Sequence, residues 1–454
     1  MKDDEKHRGR VVPTGRLSRL SRFGRLAGGI AGGVMAEGAR RLASGERPRL
    51  NDLLLTPANA VRLADQLSHL RGAAMKLGQM ISMDAGEILP PEFTQVLARL
   101  RDQAHHMTTR QLDDVLRAEW GHEWRQRLSG FRGTPIAAAS IGQVHRGRLP
   151  DGREIAIKIQ YPGIARSIDA DVDNVATLLR ITGLLPRELD IAPLLAEAKR
   201  QLHDEANYLR EASMMKRYGD LIGDDPAYLV PKPISSLTTE RILAMDYVEA
   251  EPIEAVAAAP QETRNAVAKA LVQLVLRELL EWGVMQTDPN FANYRWQPAT
   301  GKLVLLDFGA AREVLPITAT GYRALLLAGI DGHRDAVRTA AVDAGFIGSG
   351  AAAKHRQVVD AMIDVILAEL NRPGPFDFGD RAFLGVLREQ AMTLADDRAT
   401  WHLPPTDTLF AQRKVSGTAL LAARLKAQVD IRSLIASYRD EGPSRSPDPS
   451  PARL

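Results

Sequence analysis

The sequence predicts an α+β fold in which a helical extension comes first, a small β-rich unit follows and a mainly helical unit ends the chain. Three patterns support this order: helical spacing of apolar residues before position 120, a β-hairpin pattern near position 150, and helical patterns after position 261. Hydrophobic residues make up 45% and charged residues 25% of the 454 residues, as in ordinary globular proteins. The chain is long enough for two or three packed units.

The first helical signals lie in the N-terminal part of the chain. Apolar residues recur at helical spacing over 61–83, after a Thr56-Pro57 pair that is typical of a helix start. Shorter helices are predicted at 92–101 and 109–119, the second of them capped by Thr108 or Thr109. Together these helices form the predicted extension.

The β-rich unit begins where the period changes. Residues 147–160 predict a β-hairpin, because a Pro-Asp-Gly turn at 150–152 separates two β-prone runs. Four more elements are predicted next: helices at 164–185 and 191–218 and strands at 228–230 and 239–245. From residue 261 the pattern is mainly helical, apart from an island of loops and strands at 283–312.

The first fifty residues are basic, with twelve Lys or Arg against five Asp or Glu, although the whole chain has a net charge of +3. This arm is either solvated or attached to anionic lipid, at about 1 kcal/mol for each basic residue near the surface. Its longest apolar run, 26–36, is shorter than the roughly 20 residues of a spanning helix. We therefore expect a cytoplasmic protein that is peripherally associated with the inner face of a membrane.

Two function classes are disfavoured by composition. The chain has no cysteine, which excludes disulfides, zinc–thiolate sites and iron–sulfur clusters. Apart from Phe23, no aromatic residue interleaves with the arginines of the basic arm, so a nucleic-acid partner is not expected.

The strongest chemical signal lies at 286–309. A polar loop contains Asp288 and Asn293, and a short apolar strand at 303–306 then leads into Asp307-Phe308-Gly309. Phosphoryl transfer needs a metal held against the phosphates and a positioned carboxylate, and this ordered set supplies both. The alternative is that Asp307 caps a turn and Asp288 begins a loop. The set predicts that ATP with magnesium binds in a cleft between two lobes of a protein-kinase-like fold.

A second signal is Lys158, in the middle of an apolar, β-branched run at 155–159. A lysine there needs a partner, because burying an unpaired charge is costly. Phosphates and a helix glutamate are the expected partners, and Glu211 is the candidate, whereas Glu205 should lie on a different face of the same helix. The alternative is an edge strand from which Lys158 points to solvent.

Two further motifs are weaker when taken alone. The loop before the hairpin is rich in alanine at Ala137, Ala138 and Ala139 and continues with Ser140, where a glycine-rich loop would approach phosphates more closely. Lys76 and Gln79 share a helix face in the extension. The simpler readings are a small-residue turn and a solvated helix face.

Together the motifs resemble a known family. They are Lys-x-Gly-Gln at 76–79, Ala-Ala-Ala-Ser-Ile-Gly-Gln-Val-His at 137–145, the strand lysine, Glu-x-x-x-x-x-Glu-Ala at 205–212, Gln-Thr-Asp-Pro-x-x-x-Asn at 286–293, and Asp-Phe-Gly at 307–309. In this order they resemble the UbiB/AarF atypical kinases over about residues 60–312.

The resemblance implies roles for individual residues. Lys158 would contact the α- and β-phosphates and pair with Glu211, Asp288 would be the catalytic-loop carboxylate, and Asn293 and Asp307 would hold magnesium. The remaining implied site residues are those that cover or line the nucleotide, Ala137, Ala138, Ala139, Ser140, Met245, Asp246 and Val248, and those that enter the cleft from the extension, Lys76 and Gln79.

The sequence departs from the family pattern at two places. Asn207 stands where the family's Glu-x-Asp motif has its aspartate, and an amide can hydrogen-bond but carries no charge. Asn290, Phe291 and Ala292 replace a His-Pro-Gly run, which keeps Asp288 and Asn293 in register. Neither change removes the phosphate-handling residues.

The resemblance also implies a function. Such proteins bind ATP or ADP, hydrolyse ATP and support the biosynthesis of ubiquinone or a related prenyl-quinone at a membrane, so prenyl-quinone intermediates or lipid are expected partners. Homodimerisation and contact with quinone-biosynthesis proteins are left open. The alternatives are a small-molecule kinase of the aminoglycoside-phosphotransferase type and a non-catalytic, nucleotide-gated lipid-binding scaffold. An ordinary protein kinase is disfavoured, since no Ala-Pro-Glu follows Asp307 and no phosphorylatable loop is evident at 312–321.

Five segments follow from these assignments. They are a basic, membrane-proximal arm at 1–50, the helical extension at 51–125, a kinase-like N-lobe at 126–246, a kinase-like C-lobe at 247–440, and a disordered tail at 441–454.

Overall fold

The computed structural model describes residues 73, 106–181, 191–395, 397 and 404–439. These residues form two compact units. The first contains the described residues up to Ser213 together with Lys232–Tyr247, and the second contains Met214–Pro231 and the described residues from Val248 onward. The predicted basic arm, the helices at 61–83 and 92–101 and the tail lie outside the described residues, except for Ala73, which is helical and buried.

Helices and strands alternate irregularly along the chain. The helices are α1 (Thr109–Trp120), α2 (Ile168–Ile181), α3 (Ala192–Glu205), α4 (Tyr208–Ile222), α5 (Gln261–Arg277), α6 (Pro316–Ile330), α7 (Arg334–Asp343), α8 (Ser349–Lys354), α9 (Arg356–Leu370), α10 (Ala382–Ala395), α11 (Thr406–Arg424) and α12 (Ile431–Ala436). The strands are β1 (Gly130–Phe131), β2 (Ala137–Ala138), β3 (Gly142–Arg148), β4 (Glu154–Gln160), β5 (Tyr228–Leu229), β6 (Ile242–Asp246), β7 (Glu251–Pro252), β8 (Val284–Gln286), β9 (Tyr294–Gln297), β10 (Lys302–Leu305), β11 (Ala311–Glu313), β12 (Phe376–Asp377) and β13 (Gln428–Val429).

The first unit is built on an antiparallel sheet with the order β1-β3-β4-β6, and β2 also pairs with β3. The β3–β4 hairpin confirms the predicted one, although β3 begins earlier, at Gly142. A side chain at Gly142 would overlap the Ile159 carbonyl of β4, so only glycine allows this close approach. The isoleucines of β4 face a core that includes Leu116 and Trp120 of α1.

Helix α1 confirms the predicted N-cap. The hydroxyl of Thr108 accepts a hydrogen bond from the backbone N–H of Gln111 at 3.3 Å, and the side chain of Gln111 accepts one from the backbone N–H of Thr108 at 3.4 Å. This capping box satisfies two backbone donors at the helix start.

The helix predicted at 191–218 is wrong as a single element, because it is divided into α3 and α4. The side chain of Gln160 donates to the Ala206 carbonyl at 2.5 Å, which removes that acceptor from a continuous helix. The side chain of Asn207 accepts from the Arg210 N–H at 3.0 Å, as an N-cap does. Glu205 therefore ends α3, and it does not share a helix with Glu211 as predicted.

Other predicted boundaries also shift in the first unit. Helix α2 begins at Ile168, four residues later than predicted, and β6 begins at Ile242 instead of 239. Ala137 and Ala138 were predicted in a loop, but they form β2, whose register pairs them with Val144 and Gln143.

The second unit combines small sheets with helices. One sheet has the order β5-β10-β9-β7, in which β10 runs parallel to β5 and antiparallel to β9, and β8 pairs with β11. Helix α5 continues into a π-helical turn, Glu278–Trp282, which ends at Gly283 with a left-handed backbone. The core of the second unit includes Leu276, Leu279 and Tyr322. This arrangement confirms the island of loops and strands predicted within a helical unit.

Candidate functional site

Lys158 lies on β4, which pairs with β3 on one side and β6 on the other. The edge-strand alternative is therefore wrong. The Nζ atom donates to the two carboxylate oxygens of Glu211 at 2.8 and 2.9 Å, and it lies 5.1 Å from the centroid of the Tyr208 ring. The Lys158 side chain is 10% exposed and that of Glu211 is 1% exposed. The predicted ion pair is present and buried.

The position of Glu211 depends on the start of α4. Asn207 caps this helix, and Glu211 lies in its first turn, where the helix dipole favours a negative charge. The Glu211 N–H also donates to the Asn207 carbonyl at 3.1 Å. An asparagine caps a helix as well as an aspartate does, so the departure from the family pattern at Asn207 keeps this positioning role.

One hydrogen bond closes the alanine-rich loop, and a second attaches it to helix α3. The Ala139 N–H donates to the Gly142 carbonyl at 2.9 Å, and the Ser140 hydroxyl donates to Glu205 at 3.0 Å. The loop is therefore a short turn between β2 and β3, anchored to the end of α3.

The other predicted nucleotide residues are distributed over three regions. Met245 and Asp246 end β6, where Asp246 accepts from Arg153 at 3.3 Å. Val248 belongs to the second unit. Lys76 and Gln79 lie outside the described residues. The nucleotide-binding roles of Met245, Asp246 and Val248 remain predictions, as do the roles of Lys76 and Gln79 in the cleft.

In the second unit, the loop that contains Asp288 and Asn293 connects β8 to β9. The Asp288 N–H donates to the Gln286 side chain at 3.1 Å, and the Asn293 side-chain amide donates to the Asp288 carbonyl at 3.0 Å. Asn290 caps the short 3-10 turn Phe291–Asn293 that ends the loop. These local bonds hold Asp288 and Asn293 in one compact turn.

Strand β10 delivers the Asp-Phe-Gly motif next to this loop. The Leu306 N–H donates to the Asn293 carbonyl at 3.1 Å, so the chain leading into Asp307 runs beside Asn293. The Asp307 carboxylate accepts from the Gly309 N–H at 3.0 Å. Phe308 is buried, and its ring lies 4.8 Å from that of Tyr218. The structure thus brings the loop and the motif together.

The oxygen atoms of this region suit magnesium, which prefers oxygen ligands and is usually held by one or two carboxylates together with phosphates. Asn293 uses its amide nitrogen for the Asp288 carbonyl, and its amide oxygen accepts no hydrogen bond from the described residues. Within the described ranges, no group of three or more His, Asp or Glu side chains could hold a metal ion. The oxygen atoms of Asn293 and Asp307 would suit a magnesium ion that takes its other ligands from phosphate, and the assignment of these two residues to the metal remains a prediction.

Two residues of α11 beside this loop were not predicted from the sequence. Arg413 donates to the Asp288 carboxylate at 3.3 Å, and Lys414 donates to the Tyr294 hydroxyl at 2.8 Å. Both side chains are buried. A signal was available, because the helical period places these two charges on the same face as Phe410 and Leu421.

The segment that leads from Asp307 to the start of helix α6 is short. Strand β11 pairs with β8, and only two residues separate its end at Glu313 from the start of α6 at Pro316. Arg217 forms an ion pair with Glu313.

The sequence matches the ABC1 atypical kinase-like domain over residues 99–341, which is more than half of the chain. The chain belongs to this family. It is 36% identical over 429 residues to the atypical kinase COQ8, mitochondrial, of Saccharomyces cerevisiae, with 93% of this chain and 84% of the yeast protein covered. It is also 36% identical over 455 residues to the atypical kinase COQ8B, mitochondrial, of Rattus norvegicus, with 99% and 85% covered.

Among solved structures, the chain is similar to Rv3197 in its complex with erythromycin from Mycobacterium tuberculosis. The TM-score is 0.58 at 24% identity, and the match covers 82% of this chain and 93% of the other. At this identity the likeness shows the fold alone.

Family membership confirms two predictions. The chain is an atypical kinase of the UbiB/AarF type, and its α+β, protein-kinase-like fold is established. Among the described residues, no helix combines the length and the apolar character needed to cross a bilayer.

Proposed function

We propose that this ABC1-family protein is an ATPase that binds ATP with magnesium and supports the biosynthesis of ubiquinone or a related prenyl-quinone at a membrane. The buried pair of Lys158 and Glu211 carries the proposal. A charge pair at this depth is a poor source of stability compared with apolar packing. Its presence on a central strand is better explained by the binding of a polyanion to Lys158.

On the nucleotide side, Lys158 contacts the α- and β-phosphates while Glu211 holds its ammonium in place. The turn made by Ala139 and Ser140, together with Ala137 and Ala138 of β2, covers the phosphates. Met245, Asp246 and Val248 line the rest of the nucleotide. The tight turn between β2 and β3 supports a cover that is stiffer than a glycine-rich loop.

On the phosphoryl-transfer side, Asn293 and Asp307 would hold the magnesium ion, which would supply neutralisation of the charge on the phosphate oxygens. Asp288 orients the attacking oxygen and accepts its proton. Support comes from the compact turn that joins Asp288 to Asn293 and from the hydrogen bond between Leu306 and the Asn293 carbonyl.

The family resemblance implies that Lys76 and Gln79 of the extension would enter the cleft where a protein kinase admits its peptide. We therefore expect ATP hydrolysis instead of phosphorylation of proteins in trans. The short segment between Glu313 and α6 supports this, because it leaves little chain with which to build a peptide-binding loop.

The basic arm attaches the protein peripherally to the inner, cytoplasmic face of a membrane, where prenyl-quinone intermediates or lipid are its partners. Twelve Lys or Arg in the first fifty residues support this location. The names of the yeast and rat relatives, which are mitochondrial atypical kinases, support the assignment to this branch of the family.

The direct experiment is ATP hydrolysis by the purified chain, with and without anionic liposomes, beside an Asp307→Asn control. Turnover that rises with liposomes and is lost in Asp307→Asn supports a membrane-coupled ATPase. ATP binding without turnover in any condition would replace it with a nucleotide-gated scaffold. Transfer of phosphate to small alcohols would indicate a small-molecule kinase.

A further inference from the structure

Helix α11 lies along the loop that connects β8 to β9, although about 120 residues separate them in sequence. Contacts occur at several points along the helix, and they include ion pairs, a hydrogen bond, a close steric approach and a cation–π contact. All of them lie within the second unit.

The first contact fixes Asp288. Arg413 donates from Nη2 to the Asp288 carboxylate at 3.3 Å, and the two side chains are 7% and 20% exposed. A guanidinium group presents its donors in a rigid plane, so it fixes the orientation of a carboxylate better than a flexible ammonium does.

The second contact fixes both ends of the loop. Lys414 lies 3.1 Å from the Glu278 carboxylate and donates to the Tyr294 hydroxyl at 2.8 Å. Glu278 in turn accepts from the Gln286 N–H at 3.1 Å. Gln286 precedes the loop and Tyr294 follows it, so a single ammonium group connects the two ends.

The residues of this network carry polar groups, and all of them are buried. Glu278 also accepts from the Tyr218 hydroxyl at 2.8 Å. Burial raises the pKa of Tyr218 well above its usual range, so the hydroxyl stays protonated and keeps donating. Burial opposes the charge on Lys414, but the neighbouring Glu278 carboxylate raises its pKa above the usual range. The ammonium therefore persists at neutral pH.

The third contact is steric. A side chain at Gly417 would overlap the ring of Pro289, the residue after Asp288, so the helix backbone approaches the loop as closely as glycine allows. Further along α11, the Arg424 guanidinium lies 4.6 Å from the centroid of the Phe291 ring. Arg413, Gly417 and Arg424 share one helix face.

We propose that α11 is the template that positions the Asp288 loop, with Arg413 as the positioning residue for the Asp288 carboxylate and Gly417 as the contact that sets the distance. This inference rests on the proposed function, because it concerns the same phosphoryl-transfer residues. A loop held in this way keeps its carboxylate oriented before substrate arrives, and misplacement by about 1 Å can cost about 100-fold in rate.

The test compares Arg413→Gln and Arg413→Lys with Arg338→Gln in the full chain. Arg338 is a matched control, since its side chain is 13% exposed and pairs with Asp360 away from the loop. We expect Arg413→Gln to lower kcat for ATP hydrolysis by about 100-fold while KM for ATP changes by less than about twofold. Arg413→Lys should recover part of kcat, and Arg338→Gln should lower Tm without lowering kcat.

A second pair of variants tests the steric contact without changing any charge. Gly417→Ala should lower kcat, because the added methyl group pushes Pro289 away from the helix. Gly385→Ala in α10 is the control, since nothing lies within 4 Å of an added Cβ there. It should leave kcat unchanged.

The outcomes separate this inference from the proposed function. Full activity in both Arg413→Gln and Gly417→Ala, beside an active wild type, overturns the template. If the wild type does not hydrolyse ATP, the proposed function fails, and hydrogen exchange of residues 286–294 decides the template. Faster exchange there in Arg413→Gln but not in Arg338→Gln supports it, and equal exchange overturns it.

Discussion

The Lys158 region and the Asp288 region are built in different ways. Lys158 lies on a central strand and Glu211 in the first turn of a helix, so each of these charges is placed by regular secondary structure. Asp288 lies in a loop, and its position depends on Arg413 and Lys414 of α11. The first region needs one long-range ion pair, whereas the second needs a set of contacts from a distant helix.

This difference shows how a kinase-like fold can hold one charged residue rigidly on a strand and another in a loop. A sheet supplies a fixed point for the phosphate contact that we propose for Lys158. A loop would give Asp288 the reach that the proposed proton transfer needs, but a loop costs conformational entropy unless another element restrains it. Substitutions in α11 should therefore act on the loop, and substitutions near β4 should act on the pair alone.

The largest effect is expected from Lys414→Met. It leaves Glu278, whose side chain is not exposed, without its charged partner, and breaking a buried pair in this way costs about 3–5 kcal/mol. Urea denaturation measures the loss. The double variant Lys414→Met/Glu278→Gln should recover part of it. As a control, Lys216→Met breaks the exposed pair with Asp220 and should cost less than about 1 kcal/mol. Equal losses in the two single variants would contradict the role of burial.

The next effect concerns the first region. Lys158→Arg keeps the charge but replaces a compact ammonium with a planar fork, so we expect ATP turnover to fall about 100-fold. The mirror change Glu211→Gln should also lower turnover, because it removes the charge that holds Lys158. Steady-state kinetics measures both. Wild-type turnover in Lys158→Arg would mean that the lysine does not contact phosphate.

A smaller effect is expected at His145, which is buried in the first unit and bonds to the Arg132 carbonyl at 2.9 Å. Burial lowers the pKa of His145, so the folded protein resists protonation more than the unfolded chain does. Stability should therefore be full above about pH 6.5 and fall as the pH drops towards the folded pKa. Urea denaturation at a series of pH values measures this.

The control for His145 is His145→Asn, which cannot titrate in this range. It should be less stable than the wild type at about pH 8 but should lose less on acidification. Parallel losses of the two proteins on acidification would assign the effect to other groups.

The smallest effect is expected in the alanine-rich turn. Ala139→Gly frees the backbone at a cost of about 0.5–1 kcal/mol, so the ratio of ADP to ATP affinity should change by about two- to fivefold. Fluorescence titration measures the ratio. Ser140→Ala removes the hydrogen bond to Glu205 and should change the ratio in the same direction. An unaltered ratio in both variants would mean that the turn does not contact phosphate.

The contrast between the regions also decides how much the sequence could predict. The strand that carries Lys158 could be predicted from local period and residue type, and Glu211 could be predicted from the charged partner that such a lysine needs. The break between α3 and α4 was missed, since it depends on Gln160 of another element reaching the Ala206 carbonyl. Arg413 and Lys414 were missed for the same reason: their partners are more than a hundred residues away, and only the structure brings them together.

Fold class was predictable because it rests on the order of long periodic segments. The ends of elements were not, since a strand such as β2 consists of two alanines whose pairing with β3 is a tertiary event. The candidate site could be predicted in part. Its residue types and order could be predicted, whereas the contacts that restrain Asp288 could not.

The most direct test of the central claim is the magnesium dependence of nucleotide affinity, measured by isothermal titration of ADP into the wild type and Asp307→Asn. Magnesium should tighten binding to the wild type. In Asp307→Asn, whose fold is checked by circular dichroism, ADP binding should no longer respond to magnesium. Magnesium-dependent binding of equal strength in the two proteins would contradict the assignment of Asp307 to the metal.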